Sequence, residues 1–108
     1  MDQSKIQKAA DILYNSRISL KKIKQLPQDC APRSLEEGYD IQDELTKKYL
    51  SASHKTLLIG KKIGCTNKAA QKQLNVNESF FGNMFSDNIS KSKNIINSEK
   101  YFSPYIEP

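Results

Sequence analysis

Apolar residues in the first fifty positions recur at helical spacing. Ile6, Ala9, Ala10, Leu13 and the aliphatic stem of Arg17 share one face of a segment running over 4–18, with Lys5, Lys8 and Asp11 between them. Lys21, Lys22 and Lys24 follow in the last turn or just beyond it, where positive charge complements the helix dipole. Pro27 and Pro32 mark Gln25–Arg33 as a loop. Ser34-Leu35-Glu36-Glu37 then sets a carboxylate three residues after a hydroxyl, the pattern of a capping box. Leu35, Gly38, Ile41, Leu45 and Tyr49 carry the apolar stripe of this second helix to about Leu50. Two amphipathic helices joined by such a loop are expected to pack stripe against stripe.

The period changes in the second half. Leu57-Leu58-Ile59-Gly60-Lys61-Lys62-Ile63-Gly64 reads as a strand, with Leu57, Ile59, Lys61 and Ile63 on one face and Leu58, Gly60, Lys62 and Gly64 on the other. Thr66 is placed to cap a short helix over Asn67–Leu74, ending near Asn75. Phe80, Phe81, Met84 and Phe85 make the densest apolar cluster, with Gly82 inside it. A Ser/Lys/Asn-rich loop, the pair Ile95-Ile96 and a strand-like Tyr101–Ile106 complete the chain. The fold class expected is α+β, two N-terminal helices on a small sheet with one further short helix.

With 108 residues there is room for one small domain and a modest core. The net charge of +5 is uneven: residues 1–54 hold nine Lys/Arg against eight Asp/Glu, and residues 55–108 hold eight against four. A basic half invites comparison with nucleic-acid binders, but the lysines are scattered and no aromatic-bearing RNA-binding motif accompanies them, so nucleic acid is not an expected partner. No apolar run approaches the ~20 residues that cross a bilayer, and no signal peptide is recognisable. Cys30 and Cys65 are far apart and lack metal-ligand spacing, which points to two free thiols and a cytoplasmic setting. His54 sits in a polar loop without a partner.

The stretch Gly60–Asp87, GKKIGCTNKAAQKQLNVNESFFGNMFSD, resembles the bacterial 2-keto-4-pentenoate hydratases and their relatives, the 2-oxohepta-3-ene-dioate hydratases and 4-oxalocrotonate decarboxylases of the fumarylacetoacetate hydrolase superfamily. Their G-x-K-x-G-x-T becomes Gly60-Lys61-Lys62-Ile63-Gly64-Cys65-Thr66. A Gln-rich helix ending becomes Gln71-Lys72-Gln73-Leu74-Asn75-Val76, and an aromatic-Gly segment becomes Phe81-Gly82-Asn83-Met84-Phe85-Ser86-Asp87. Gly38-Tyr39-Asp40-Ile41-Gln42 is similar to an A-Y-x-I-Q on the second helix, and Pro104-Tyr105-Ile106-Glu107 to a later P-x-I-E-x-E. Order and spacing are kept over 34–108.

The resemblance implies a metal-dependent lyase that hydrates or decarboxylates short 2-oxo-enoic acids. It implies Mg²⁺ or Mn²⁺ held by the two glutamates of E-x-E and a later acid, and hard cations do favour carboxylate oxygens. Glu107 takes the first place of that pair and the chain stops at Pro108, so the site is expected to be incomplete and no ion to be bound by this chain. Lys62 takes the place of the motif lysine, flanked by Gly60 and Gly64; an amine there is suited to a substrate carboxylate or to proton transfer. One departure stands out. Phe80 occupies a position where many hydratases have Asp, and an aromatic ring moves no protons.

On this reading residues 1–100 form the N-terminal domain and 101–108 begin a β-rich catalytic domain that is missing. Three functions stay open: an N-terminal fragment inactive alone, a non-catalytic module that assembles with a partner, and a weak nucleic-acid binder. Uncovered surface around Phe81 and Phe85 is expected to drive self-association.

Overall fold

The computed structural model describes residues 1–107. The chain runs α1 (Gln3–Ser19), α2 (Leu35–Ala52), β1 (Leu58–Gly64), α3 (Lys68–Gln73) and β2 (Phe80–Phe85), followed by two single turns of 3-10 helix. The α+β class and the helix pair are as expected.

Local chemistry explains each helix end. The Asp2 carboxylate accepts from the Lys5 amide at 3.0 Å and caps α1. At the other end Leu20 adopts a left-handed conformation (φ 55°), while the Lys21 amide donates to the Ser16 carbonyl at 3.2 Å and the Leu20 amide to that of Arg17. Glycine normally fills that position. Ser34 accepts from the Glu37 amide at 3.1 Å, but the returning Glu37 carboxylate bonds the amide of Arg33, at 2.7 Å, rather than that of Ser34. The same carboxylate lies 3.3 Å from the Met1 amino group. The Arg33 amide, and after it this amino group, hold Glu37 below the usual carboxylate range. Asn67 caps α3 by accepting from the Ala70 amide at 2.8 Å. The expected cap, Thr66, falls one residue early.

Ile6, Ala9, Ala10, Cys30 and Ile41 form the buried core, with Met1, Ile12, Leu13, Leu26 and Leu45 packed around it. The two alanines let the helices approach closely, and the Pro27–Ala31 turn folds the Cys30 thiol beneath them. Arg17 is exposed, so the α1 stripe continues instead through Tyr14, whose ring lies 5.3 Å from that of Tyr49. The ion pairs Lys8–Asp29 and Lys48–Asp11 tie α1 to the loop and to α2.

Strands β1 and β2 pair antiparallel, with Lys61 opposite Asn83, Lys62 opposite Gly82, Ile63 opposite Phe81 and Gly64 opposite Phe80. The register shifts between Leu58 and Gly60, so the alternation expected from Leu57 onward holds only from Gly60. The expected strand over Tyr101–Ile106 is absent: these residues have no ladder partner, and an extended segment without one is not a strand. Pro108, the last residue of the expected second domain, lies outside the described residues.

Candidate functional site

Lys62 sits in the middle of β1, and alternation decides which way it points. Lys61 reaches toward α2: its Nζ lies 3.9 Å from the centroid of the Phe81 ring and 3.3 Å from Asn83 Oδ1. Lys62, one residue on, belongs to the opposite face. Its cross-strand partner there is Gly82, and Gly60 and Gly64 precede and follow it on the same face. A methyl group built on Gly60 would meet nothing within 4 Å, and one on Gly64 would meet only the Phe80 ring, at 3.7 Å. One on Gly82 would meet Gln42 Oε1 at 3.8 Å, so the exposed amine stands over three glycines with the Gln42 side chain at the edge of the middle one.

The walls of this face are apolar. Phe80 and Met84 flank Gly82 on β2 and project to the same side as Lys62. Phe80 is the diagonal neighbour of Lys62, at a spacing from which an acidic side chain would reach the amine. With phenylalanine there, no acid stands beside Lys62 on the neighbouring strand. The arrangement offers a cation between apolar side chains, which suits a small organic anion and provides no proton relay of its own.

The other face of β2 is where α2 docks. Tyr39 stacks on Phe81 with ring centroids 4.6 Å apart, and Tyr49 meets Phe85 at 5.2 Å. Burial raises the Tyr49 phenol above its ordinary value, with Arg17 acting in the opposite sense. Between the two aromatic pairs, Gln42 bonds the backbone of Phe81 and Asn83, and Thr46 accepts from the Asn83 side chain at 2.9 Å. Gln42 and Thr46 escape a search for apolar stripes because they are polar. Their i, i+4 spacing beside Tyr39 and Tyr49 is the signal that marks this second face.

Other motif residues are structural anchors. Asp87 accepts from the buried Thr56 hydroxyl at 2.9 Å and ties the entry of β1 to the exit of β2. Gln71, also buried, donates to the Cys65 carbonyl at 3.1 Å and supports that residue in a left-handed conformation (φ 58°). Cys30 and Cys65 are both free thiols, and His54 is exposed. The cleft of about 670 Å³ bounded by Tyr14, Arg17, Tyr49, Phe85 and Lys100 lies between the helix pair and β2 and does not include Lys62.

Glu107 is exposed and belongs to no strand. Among the described residues no three His, Cys, Asp or Glu side chains gather into a site for a metal ion, so the residues present do not form a cage for Mg²⁺ or Mn²⁺. Nor, among the described residues, is any helix long and apolar enough to cross a membrane.

No protein-family model matches the chain. Comparison with characterised proteins shows a class: the chain is homologous to a part of the 2-keto-4-pentenoate hydratases. It is 35% identical over 82 residues to the "TodF product hydratase" of Pseudomonas putida, covering 76% of this chain and 30% of that protein. A 2-hydroxypent-2,4-dienoate hydratase of Pseudomonas putida is 33% identical over 82 residues, covering 76% of this chain and 36% of its own length. For the 2-keto-4-pentenoate hydratase of Paraburkholderia xenovorans the identity is 33% over 81 residues, 75% of this chain and 29% of that enzyme. The chain therefore spans about a third of the length of the relatives it matches.

Proposed function

We propose that this chain is the N-terminal part of a metal-dependent, hydratase-like lyase of the cytoplasm that acts on short 2-oxo-enoic acids, and that it has no turnover alone. The observation that carries the reading is Lys62, an exposed amine over a glycine floor, in a chain similar to hydratases. Within the whole enzyme Lys62 binds the substrate carboxylate, and Phe80 and Met84 exclude water from one side of it. Glu107 alone does not hold a metal ion and the neighbouring strand offers Lys62 no acid, so the lyase reading requires further carboxylates and an acid–base group in the whole enzyme.

Pyruvate, the smallest 2-oxo acid, is a suitable probe. Added to ¹⁵N-labelled protein, it is expected to shift the amide signals of Gly60 and Gly82 with millimolar affinity, and Lys62→Met to abolish the shifts. Hydration of 2-hydroxypenta-2,4-dienoate by the isolated chain would refute the inactive-fragment reading. Pyruvate shifts that survive Lys62→Met would refute the role of the lysine. A second reading, a non-catalytic module that assembles with another chain, is favoured by β1. Leu58 and Ile59 are about half exposed and Ile63 is 66% exposed, whereas Phe80–Phe85 are all half-buried. Self-association through β1, rather than through Phe81 and Phe85, is the form we propose for it.

A further inference from the structure

We propose that Gln42 is the positioning residue of the Lys62 site, acting as a one-residue strand that fixes the register of β2 against α2 and so holds Gly82, the partner of Lys62, in place. A carboxamide carries one donor group and one acceptor, the pair that a peptide unit offers to a sheet edge. Gln42 uses both on β2: its Nε2 donates to the Phe81 carbonyl at 3.3 Å, and its Oε1 accepts from the Asn83 amide at 3.0 Å. Residues two apart present these groups to the same edge, here the one turned from β1 toward α2. Gln42 therefore spans Gly82, the residue opposite Lys62. Thr46, one turn on, accepts from the Asn83 side chain at 2.9 Å and donates to the Gln42 carbonyl at 2.8 Å, which fixes the clamp to the helix.

The hairpin needs such a clamp. Tight turns normally fix strand register, but the connection here runs from Cys65 to Ser79 through α3 and cannot. Three glycines and a register shift at Leu58/Gly60 weaken side-chain discrimination further. A slip of one residue would carry Lys62 to the helix side and its neighbours to the open side. Movement of β2 by one residue would also turn its Phe81 and Asn83 groups away from Gln42, leaving a half-buried carboxamide unpaired.

The register claim stands on geometry alone; its consequence for Lys62 rests on the function proposed above. Backbone amide exchange and the Tyr39–Phe81 ring contact measured by NMR test the first. Gln42→Leu is expected to speed Asn83 amide exchange on the order of tenfold relative to amides of α1, the factor carried by one net hydrogen bond, and to loosen the Tyr39–Phe81 ring contact. Gln42→Glu keeps the acceptor without the donor and is expected to lie between, which preserves the test should the leucine variant not fold. Unchanged Asn83 exchange, or equal acceleration throughout α1 and α2, would overturn the clamp. Pyruvate shifts at Gly60 and Gly82 test the second. They should vanish in Gln42→Leu along with Asn83 protection, but vanish in Lys62→Met with that protection intact. Shifts that persist in Gln42→Leu after protection is lost would overturn the positioning role. No shifts even in the unmodified chain would sink the Lys62 reading and the positioning role that depends on it, and leave the register claim to the exchange data.

Discussion

Replacing Ile41 with alanine tests whether the helix pair carries the stability of this chain. Ile41 is 3% exposed and is the large α2 side chain of a core otherwise made of Ile6, two alanines and Cys30. The substitution deletes three buried carbons, worth about 0.8 kcal/mol each in transfer from water, or roughly 2.4 kcal/mol together. The cavity left behind adds to this, because the methyl groups of Ala9 and Ala10 cannot rotate into it. Leu13, Leu26 and Leu45 are only partly buried and relax into part of the space, which limits the extra cost. We expect a loss of about 3 kcal/mol, a large share of the ~5–15 kcal/mol typical of a whole domain. Urea unfolding followed by far-ultraviolet circular dichroism measures it, with Ile95→Ala at a fully exposed site as the control. A loss below about 1 kcal/mol for Ile41→Ala would mean that the core lies elsewhere.

Two further outcomes follow from the ion pairs and from β1. Asp2, Asp29 and Glu37 have folded pKa values lowered from 3.8, 3.8 and 4.5, chiefly by the Ser4 hydroxyl, the Lys8 ammonium and the Arg33 amide respectively. Such groups stabilise the fold above their unfolded values and lose that contribution as pH falls through the folded ones, so urea midpoints should drop below about pH 4.5 and Glu37→Gln should flatten part of that drop. Ile63→Ser, at a 66% exposed site, should leave the unfolding midpoint nearly unchanged and reduce self-association in sedimentation velocity; an identical oligomer distribution would refute assembly through β1.

The helix pair was legible because the 3.6-residue periods of Ile6, Ala9, Ala10 and Leu13 in one helix and of Ile41, Leu45 and Tyr49 in the other are strong, and Ser34 and Glu37 announce a start. What escaped were contacts between residues distant in sequence. Glu37 was expected to close on its own N-cap, yet it bonds the Arg33 amide and meets Met1, and no local pattern encodes the second partner. Leu20 ends α1 without a glycine, so the end carried no marker. Tyr101–Ile106 has the composition of a strand, but strands exist only as pairs and none lies against it. At the site, period two placed Lys61 and Lys62 on opposite faces, as found. Gln42 and Thr46 on α2 and Asn83 on β2 were not joined by the apolar pattern, because polar residues read as solvated surface unless their i, i+4 spacing beside Tyr39 and Tyr49 is noticed.

The narrow seam between α2 and β2 has a kinetic meaning. The helices share a common core, whereas the strands meet α2 through two aromatic pairs and a few hydrogen bonds, and six of the seven residues of β1 are exposed. Native-state openings follow the cheapest boundary, so the β1–α3–β2 unit should come away from the helix pair, and exchange its amides, well before α1 and α2 separate. The segment that presents Lys62 is then a shutter hinged on a rigid frame. Whatever settles on its open face or along the outer edge of β1 would change how long the shutter stays closed.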